Sequence, residues 1–260
     1  MQKHILITVS ALALLAAGCF KDQGAPRELP TAGSLEELAS ATNKAEIARV
    51  LLRGGKGDIP KDAFAGLPAL QVLDLAERGL AEVPEAVQGL DKLEHLYLSR
   101  NSLASVPDFV FALPSLTYLN LDGNGLAALP DSIGNAKGLR WLRLNVNKLE
   151  KLPASVAQLE SLQRIYLDGN KLKAVPEELK DMKYLEDITM ESNMVEEIPD
   201  WVGKLPAIRN LSFAGCPVKK LPADLSGWEK LTSLSLANCG VPASEMQRLR
   251  AAMPKTSILF

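Results

Sequence analysis

The sequence predicts an α/β solenoid: one curved right-handed coil, with a parallel β-sheet on its concave face and short helical or extended segments on its convex face. Three observations predict it. A 23-residue unit repeats nine times, its first apolar core residue falling at Val50, Leu73, Leu96, Leu119, Leu142, Ile165, Ile188, Leu211 and Leu234, with no insertion to break the frame. Fixed periods of roughly 20 to 50 residues mark stacked repeats, each of which contacts only its neighbours. Each unit opens on two apolar residues at alternate positions, such as Leu96 and Leu98, which is the pattern of a half-buried strand. Prolines recur at Pro84, Pro107, Pro130, Pro153, Pro176, Pro199 and Pro222, each followed three residues later by Val, Ile or Leu. That spacing suits an extended segment or one short helical turn and excludes a long helix.

Taken in chain order, residues 1–18 form a targeting segment. Lys3 supplies a basic start, and Ile5 to Gly18 is an apolar stretch interrupted only by Thr8 and Ser10, too short to span a bilayer but suited to a secretory signal. It ends in Leu14-Leu15-Ala16-Ala17-Gly18-Cys19, which resembles the bacterial lipobox, although Ala16 stands where leucine is usual. The resemblance implies that Cys19 becomes the lipidated first residue of the mature protein, and acyl chains contributing about 0.8 kcal/mol per buried CH₂ would anchor it stably. An ordinary signal peptide that happens to precede a cysteine is the alternative. Phe20 and Lys21 follow Cys19; the absence of aspartate there resembles sorting to the outer membrane of the bacterial envelope rather than retention at the inner one. Residues 19–33 lack periodicity and carry Gly and Pro, so they read as the lipidated cysteine and a flexible tether.

Residues 34–49 are expected to form an N-terminal helical cap. Ser34-Leu35-Glu36-Glu37 is a capping-box signature, and Leu35, Leu38 and Ile47 would cover the exposed end of the first coil. The repeats occupy residues 50–242, and their most regular copy reads Leu142-x-Leu144-x-x-Asn147-x-Leu149-x-x-Leu152-Pro153-x-x-Val156-x-x-Leu159-x-x-Leu162. This pattern resembles the leucine-rich repeat family over roughly four fifths of the mature chain. It is similar to the 23-residue class of scaffold proteins and bacterial repeat proteins, which specifies no particular partner. Residues 243–260 read as a C-terminal cap: Ser244-x-x-Gln247 opens a helix to about Ala252, and Ser257 to Phe260 closes the sheet.

After each strand comes one slot filled by Asn101, Asn124, Asn147, Asn170 and Asn193, by Gly55 and Arg78 before them, and by Cys216 and Cys239 after them. Turn backbone buried between coils needs hydrogen-bond partners, and a stacked amide offers both donor and acceptor. Three fates are open to the two thiols: a reduced ladder of small buried side chains, a disulfide between adjacent coils, or a catalytic or metal-binding role.

Composition narrows the function. With 29 Lys and Arg against 31 Asp and Glu, the net charge of −2 gives no basic footprint for nucleic acid. The mature chain keeps a single histidine, His95, on the open sheet face where nothing excludes water, which argues against a Ser-His-Asp triad. No zinc-ligand spacing, phosphate-binding glycine loop or EF-hand loop occurs, so neither an enzyme nor a cofactor is expected.

Concave-face residues carry the functional signal. Three of the four tyrosines and one of the three tryptophans fall on the outward positions of repeats three to six, namely Tyr97, Tyr118, Tyr166 and Trp141, with Arg143 and Arg164 among them. Asp122, Asp168, Asn120, Asn145 and His95 flank this group. Tyr, Trp and Arg combine large area with polar tips and dominate binding hot spots. A partner-binding face is one reading; rings that merely shield the sheet and stack on arginine are the other. Repeats eight and nine offer Asn210, Ser212, Ser233, Ser235 and alanines, so that end is expected to be inert, and Trp201 and Trp228 are expected to pack on the convex or loop side. The expected function is a lipid-anchored recognition module for another envelope or extracellular protein. A carbohydrate- or peptidoglycan-binding protein is the alternative, and a purely structural envelope protein a third.

Overall fold

A computed structural model describes residues 29–260; the signal segment, Cys19 and the first part of the tether lie outside the described residues. Eleven parallel strands form one open sheet in strictly sequential order, from β1 (Thr31–Ala32) and β2 (Arg49–Leu51) through β3 (Val72–Asp74), β4 (His95–Tyr97), β5 (Tyr118–Asn120), β6 (Trp141–Arg143), β7 (Arg164–Tyr166), β8 (Asp187–Thr189), β9 (Asn210–Ser212) and β10 (Ser233–Ser235) to β11 (Ser257–Leu259). Each repeat strand pairs with the next at an offset of 23 residues, as in Leu119 opposite Leu142. Sequence period and strand register are therefore the same quantity: a slip of one residue would turn every leucine outward.

The inward residues of successive strands, among them Val50, Leu73, Leu96, Leu119, Leu142, Ile165 and Ile188, are fully buried in one continuous core. The convex side is built from single turns. Pro84, Pro107, Pro130, Pro153 and Pro176 each sit immediately before a short turn, such as the 3₁₀ turns Glu85–Val87 and Ala154–Gln158 or the α-helical turn Asp108–Phe111. Proline lacks the N–H that a first helical turn leaves unused, and its fixed φ starts the turn. The pattern shifts in the last coils, where the turn Trp228–Lys230 starts late behind Gly227 at φ 82°. There Trp228 is fully buried, and a Cβ on Gly203 would overlap its indole ring. Trp201 packs half-buried against the core.

The slot after each strand carries a ladder of side-chain bonds. Asn147 Nδ2 donates to the Leu144 carbonyl of its own coil and to the Leu121 carbonyl of the preceding coil, both at 3.0 Å, while its Oδ1 accepts the Leu126 N–H at 3.1 Å. Asn101, Asn124, Asn170 and Asn193 repeat this arrangement. The thiols continue it: Cys216 Sγ donates to Met190 O and Cys239 Sγ to Phe213 O, each at 3.1 Å, and both cysteines are free and buried. Burial pushes both thiols up from their ordinary range, as suits an inert structural cysteine. Of the three fates open to them, the reduced ladder is the one realised. At the other end Arg78 Nη1 reaches Leu52 O at 2.7 Å, the carbonyl an asparagine would have bound, and it occupies the space that a Cβ on Gly55 would fill.

One position before this slot, the backbone adopts the left-handed conformation in all nine coils. Gly54, Glu77, Arg100, Gly123, Val146, Gly169, Ser192, Gly215 and Asn238 have φ between 54° and 71°.

Both ends differ from the sequence expectation in detail. Thr31–Ala32, assigned to the flexible tether, forms β1 and pairs with Arg49–Val50, so the ordered sheet begins before the cap. Two residues without alternation carry no strand signal. The helix α1 (Leu35–Ser40) is capped by Ser34, whose Oγ accepts the Glu37 N–H at 3.0 Å, while Glu37 Oε2 reaches one residue past the cap to the Gly33 N–H at 2.7 Å. The expected Ser244 box is not used. Helix α2 (Ala243–Ala252) starts behind Pro242 without a side-chain cap, and Arg248 instead ties it to Pro222 O at 2.8 Å and to Glu245 at 2.7 Å.

Candidate ligand-binding face

All eleven sequence-selected residues stand on the concave face of β4 to β7 or on the turn just after it, and all are half-buried. The register places His95, Tyr118, Trp141 and Arg164 side by side in one column, and Tyr97, Asn120, Arg143 and Tyr166 in the next. Strand neighbours lie about 4.8 Å apart, so rings and guanidinium groups in these columns touch.

They do so in two chains. Tyr118 stacks obliquely on Tyr97 with centroids 4.9 Å apart, meets His95 at 5.6 Å, and takes Trp141 edge-on at 5.7 Å. Arg164 lies over the Trp141 ring at 4.9 Å and pairs with Asp187 at 3.1 Å. In the second column, Arg143 lies over Tyr166 at 4.8 Å while its Nε donates to Asp122 Oδ2 at 2.7 Å. Each large side chain is thus held by a neighbour on at least one side. Contacts of this kind contribute roughly 0.5–1.5 kcal/mol each and fix rotamers before any ligand arrives.

The smaller polar residues serve the scaffold. Asn120 Oδ1 accepts the Asp122 N–H at 3.0 Å, Asp122 Oδ1 the Asn145 N–H at 2.7 Å, Asn145 Oδ1 the Asp168 N–H at 2.8 Å, and Asp168 Oδ1 the Glu191 N–H at 2.8 Å. The last three form a second ladder, on the concave rim, linking the coils of β5 to β8. One oxygen of each side chain is committed, which sequence reasoning could not foresee because the period fixes a residue's column but not the partner of its side-chain oxygen.

Burial sets the electrostatics. It lowers the His95 imidazole from its usual range, so the ring is neutral at neutral pH, and among the described residues no side chain hydrogen-bonds it. A histidine without an orienting carboxylate is not set up as a general base. Burial raises Tyr97, Tyr118 and Tyr166, which stay protonated as hydrogen-bond donors. Among the described residues no cluster of His, Cys, Asp and Glu is arranged to hold a metal.

Past Tyr166 the outward side chains shrink, and the sheet floor drops into a hollow of about 270 Å³ lined by Thr189, Glu191, Asn210, Ser212, Ser233 and Ser235, with Leu259 at its rim. The sequence marked this end as inert because it lacks rings; the same lack of bulk is what makes the hollow. A larger one of about 490 Å³ lies where α2 meets the last coils, and Arg248 with its ties to Glu245 and Pro222 is part of its wall.

Comparison with known proteins agrees with this geometry. A leucine-rich repeat region is recognised over residues 107–198, and leucine rich repeats over 53–103 and 83–126. No curated protein matches the chain. Among solved structures, a leucine-rich-repeat protein of Leptospira interrogans aligns at 24% identity and TM-score 0.51, over 83% of this chain and 72% of that one. An internalin of Listeria monocytogenes aligns at 20% identity and TM-score 0.70, over 87% of this chain and 64% of that one, so this chain spans less than two thirds of the internalin. At these identities the likeness establishes the fold, an α/β leucine-rich-repeat solenoid.

Proposed function

We propose that this leucine-rich-repeat solenoid is a non-enzymatic recognition module that binds another protein through the concave face of β4 to β7. The observation that carries the reading is the pre-stacked ridge of Tyr97, Tyr118, Trp141, Arg164, Arg143 and Tyr166. Side chains already held in one rotamer lose little entropy on docking, so more of the contact energy remains as affinity. Guanidinium groups that keep a carboxylate partner are neutralised without being withdrawn, which leaves their planes free to stack. A glycan reader would set free carboxylates beside its rings, and here both oxygens of Asp122 and one of Asp168 are already engaged, as are the Oδ1 atoms of Asn120 and Asn145.

The proposal includes attachment to the bacterial envelope through lipid on Cys19, at the outer membrane, with the partner an envelope or extracellular protein. Support for it is the sequence Leu15-Ala16-Ala17-Gly18-Cys19 alone. Mass spectrometry of the mature terminus should find an acylated Cys19, and an intact Met1 would refute the attachment. For the face, Trp141→Ala and Tyr166→Ala chains should fail to retain a cross-linked envelope protein that the parent retains, whereas a Tyr184→Ala control, whose ring is exposed and lies outside the strands, should keep the partner. Retention by all four, with the fold intact, would remove the function from this face.

A further inference from the structure

Around the hollow, three side chains spend a polar hydrogen on a neighbour. Asn210 Nδ2 donates to Asp187 Oδ1 at 2.6 Å, Ser233 Oγ donates to Asn210 Oδ1 at 2.7 Å, and Ser212 Oγ donates to Glu191 Oε1 at 2.6 Å. The serine hydroxyls have one hydrogen each and have used it, so what Ser212 and Ser233 still offer is lone pairs. Glu191 accepts from Ser212 at one carboxylate oxygen and makes no other side-chain bond among the described residues. Ser212, Ser233 and Glu191 thus present acceptors to the hollow, which suits a ligand that donates hydrogen bonds.

Charge points the same way. Of the nearby cations, Arg143 is paired with Asp122 and Arg164 with Asp187, and no cation among the described residues pairs with Glu191 or with Asp168 in the adjacent coil. Burial raises the Asp168 carboxyl, and the charge of Glu191 adds to that rise. The rim supplies an apolar wall: Leu259 is 61% exposed beside the same hollow.

We propose that this hollow is a second binding site, which takes a lysine or arginine side chain of the docked protein, with its charged head on Glu191 and its methylene stem on Leu259. Ammonium and guanidinium groups carry three and five N–H donors and no acceptor, which matches an acceptor lining. Their stems lie along apolar surface while the head stays polar. A sugar hydroxyl would bring no charge to balance Glu191, and no aromatic platform lines the hollow. The inference rests on the protein-recognition reading and assigns the partner a cationic residue that sits over β9 and β10, two to three strand spacings from Tyr166 on β7, on the order of 10–15 Å.

The test is an NMR titration of the full chain with Nα-acetyl-arginine amide and Nα-acetyl-lysine amide. Nα-acetyl-citrulline amide serves as the neutral isostere, Nα-acetyl-norleucine amide as the apolar control, and methyl β-glucoside as the sugar. Saturable shifts of the Ser212 and Ser235 amides are expected with the two cations, and about fivefold weaker binding or less with the three neutral probes, the loss of one half-buried ion pair. Glu191→Gln, which keeps an oxygen for the Ser212 hydroxyl, should weaken the cations by a similar factor. Absence of saturation with both cations, equal binding of citrulline or glucoside, or unchanged affinity in Glu191→Gln would overturn the assignment. Trp141→Ala should leave the titration unchanged, so failure of the hollow and failure of the aromatic face are told apart.

Discussion

Replacing Asn147 tests whether the asparagine column holds the coils together. The side chain is buried and makes three bonds within 3.1 Å, with a longer fourth to Asn145 O at 3.2 Å. They are not equal. Leu121 O also accepts from Asn124, and Leu144 O also accepts from Asn170, each at 2.9 Å. Asn147→Ala therefore leaves both carbonyls with one donor and orphans a single group, the Leu126 N–H. One orphaned buried donor at roughly 1–3 kcal/mol, plus two lost second bonds at about 0.5 kcal/mol each, gives a destabilisation of about 2–4 kcal/mol. Asn147→Cys should lose about 0.5 kcal/mol less, because Cys216 and Cys239 already make the equivalent bond to the preceding coil. Asn147→Asp should be worse than alanine at neutral pH, since a buried carboxylate would face two carbonyl oxygens with no hydrogen to give. Urea unfolding read by tryptophan fluorescence measures all three, with Trp141, Trp201 and Trp228 reporting from different coils. A loss below about 1 kcal/mol for alanine, or an aspartate variant more stable than alanine at neutral pH, would refute the argument.

Further outcomes follow from single positions. Val146 holds φ 54° with its side chain 64% exposed; Val146→Gly should gain about 0.5–1 kcal/mol, the relief of roughly 1–2 kcal/mol of left-handed strain less glycine's added chain entropy, and a lower urea midpoint would contradict it. Gly203→Ala should lose about 1–3 kcal/mol because the new methyl overlaps Trp228, and thermal unfolding at parental stability would show that the ring can move aside. Asp168→Asn should stabilise at neutral pH by up to about 0.5 kcal/mol. Burial raises the folded carboxyl above its unfolded value, so its favourable contribution is full below the unfolded value and lost as pH rises through the folded one. The gain over the parent should therefore shrink on acidification, and a gain that does not depend on pH would rule out the titration of Asp168 as its source.

The coil, its register and the column in which each residue stands were legible in the sequence because one period governs all three. Leu96, Leu119 and Leu142 could be placed inward, and Tyr118, Trp141 and Arg164 outward and adjacent, by counting in steps of 23. What depends on side-chain direction or on missing volume was not. Arg78 stands in an asparagine slot, and its letter does not show that it reaches the same carbonyl through the space left by Gly55. Asp122 and Asp168 were read as acids flanking a ligand, and one oxygen of each is bound to the backbone of the next coil. Serines on β9 and β10 gave no binding signal as letters, because a hollow is a property of what their neighbours lack.

The unbroken 23-residue frame turns the arc into a ruler. Any two side chains on the same column are separated by a whole number of strand steps of about 4.8 Å, and excising or inserting one complete unit changes that number by one while leaving the junction between coils chemically familiar. A chain lengthened between Tyr166 and Glu191 would present the same two features at a wider gauge, so its selectivity for a partner's spacing could be reset without redesigning either contact.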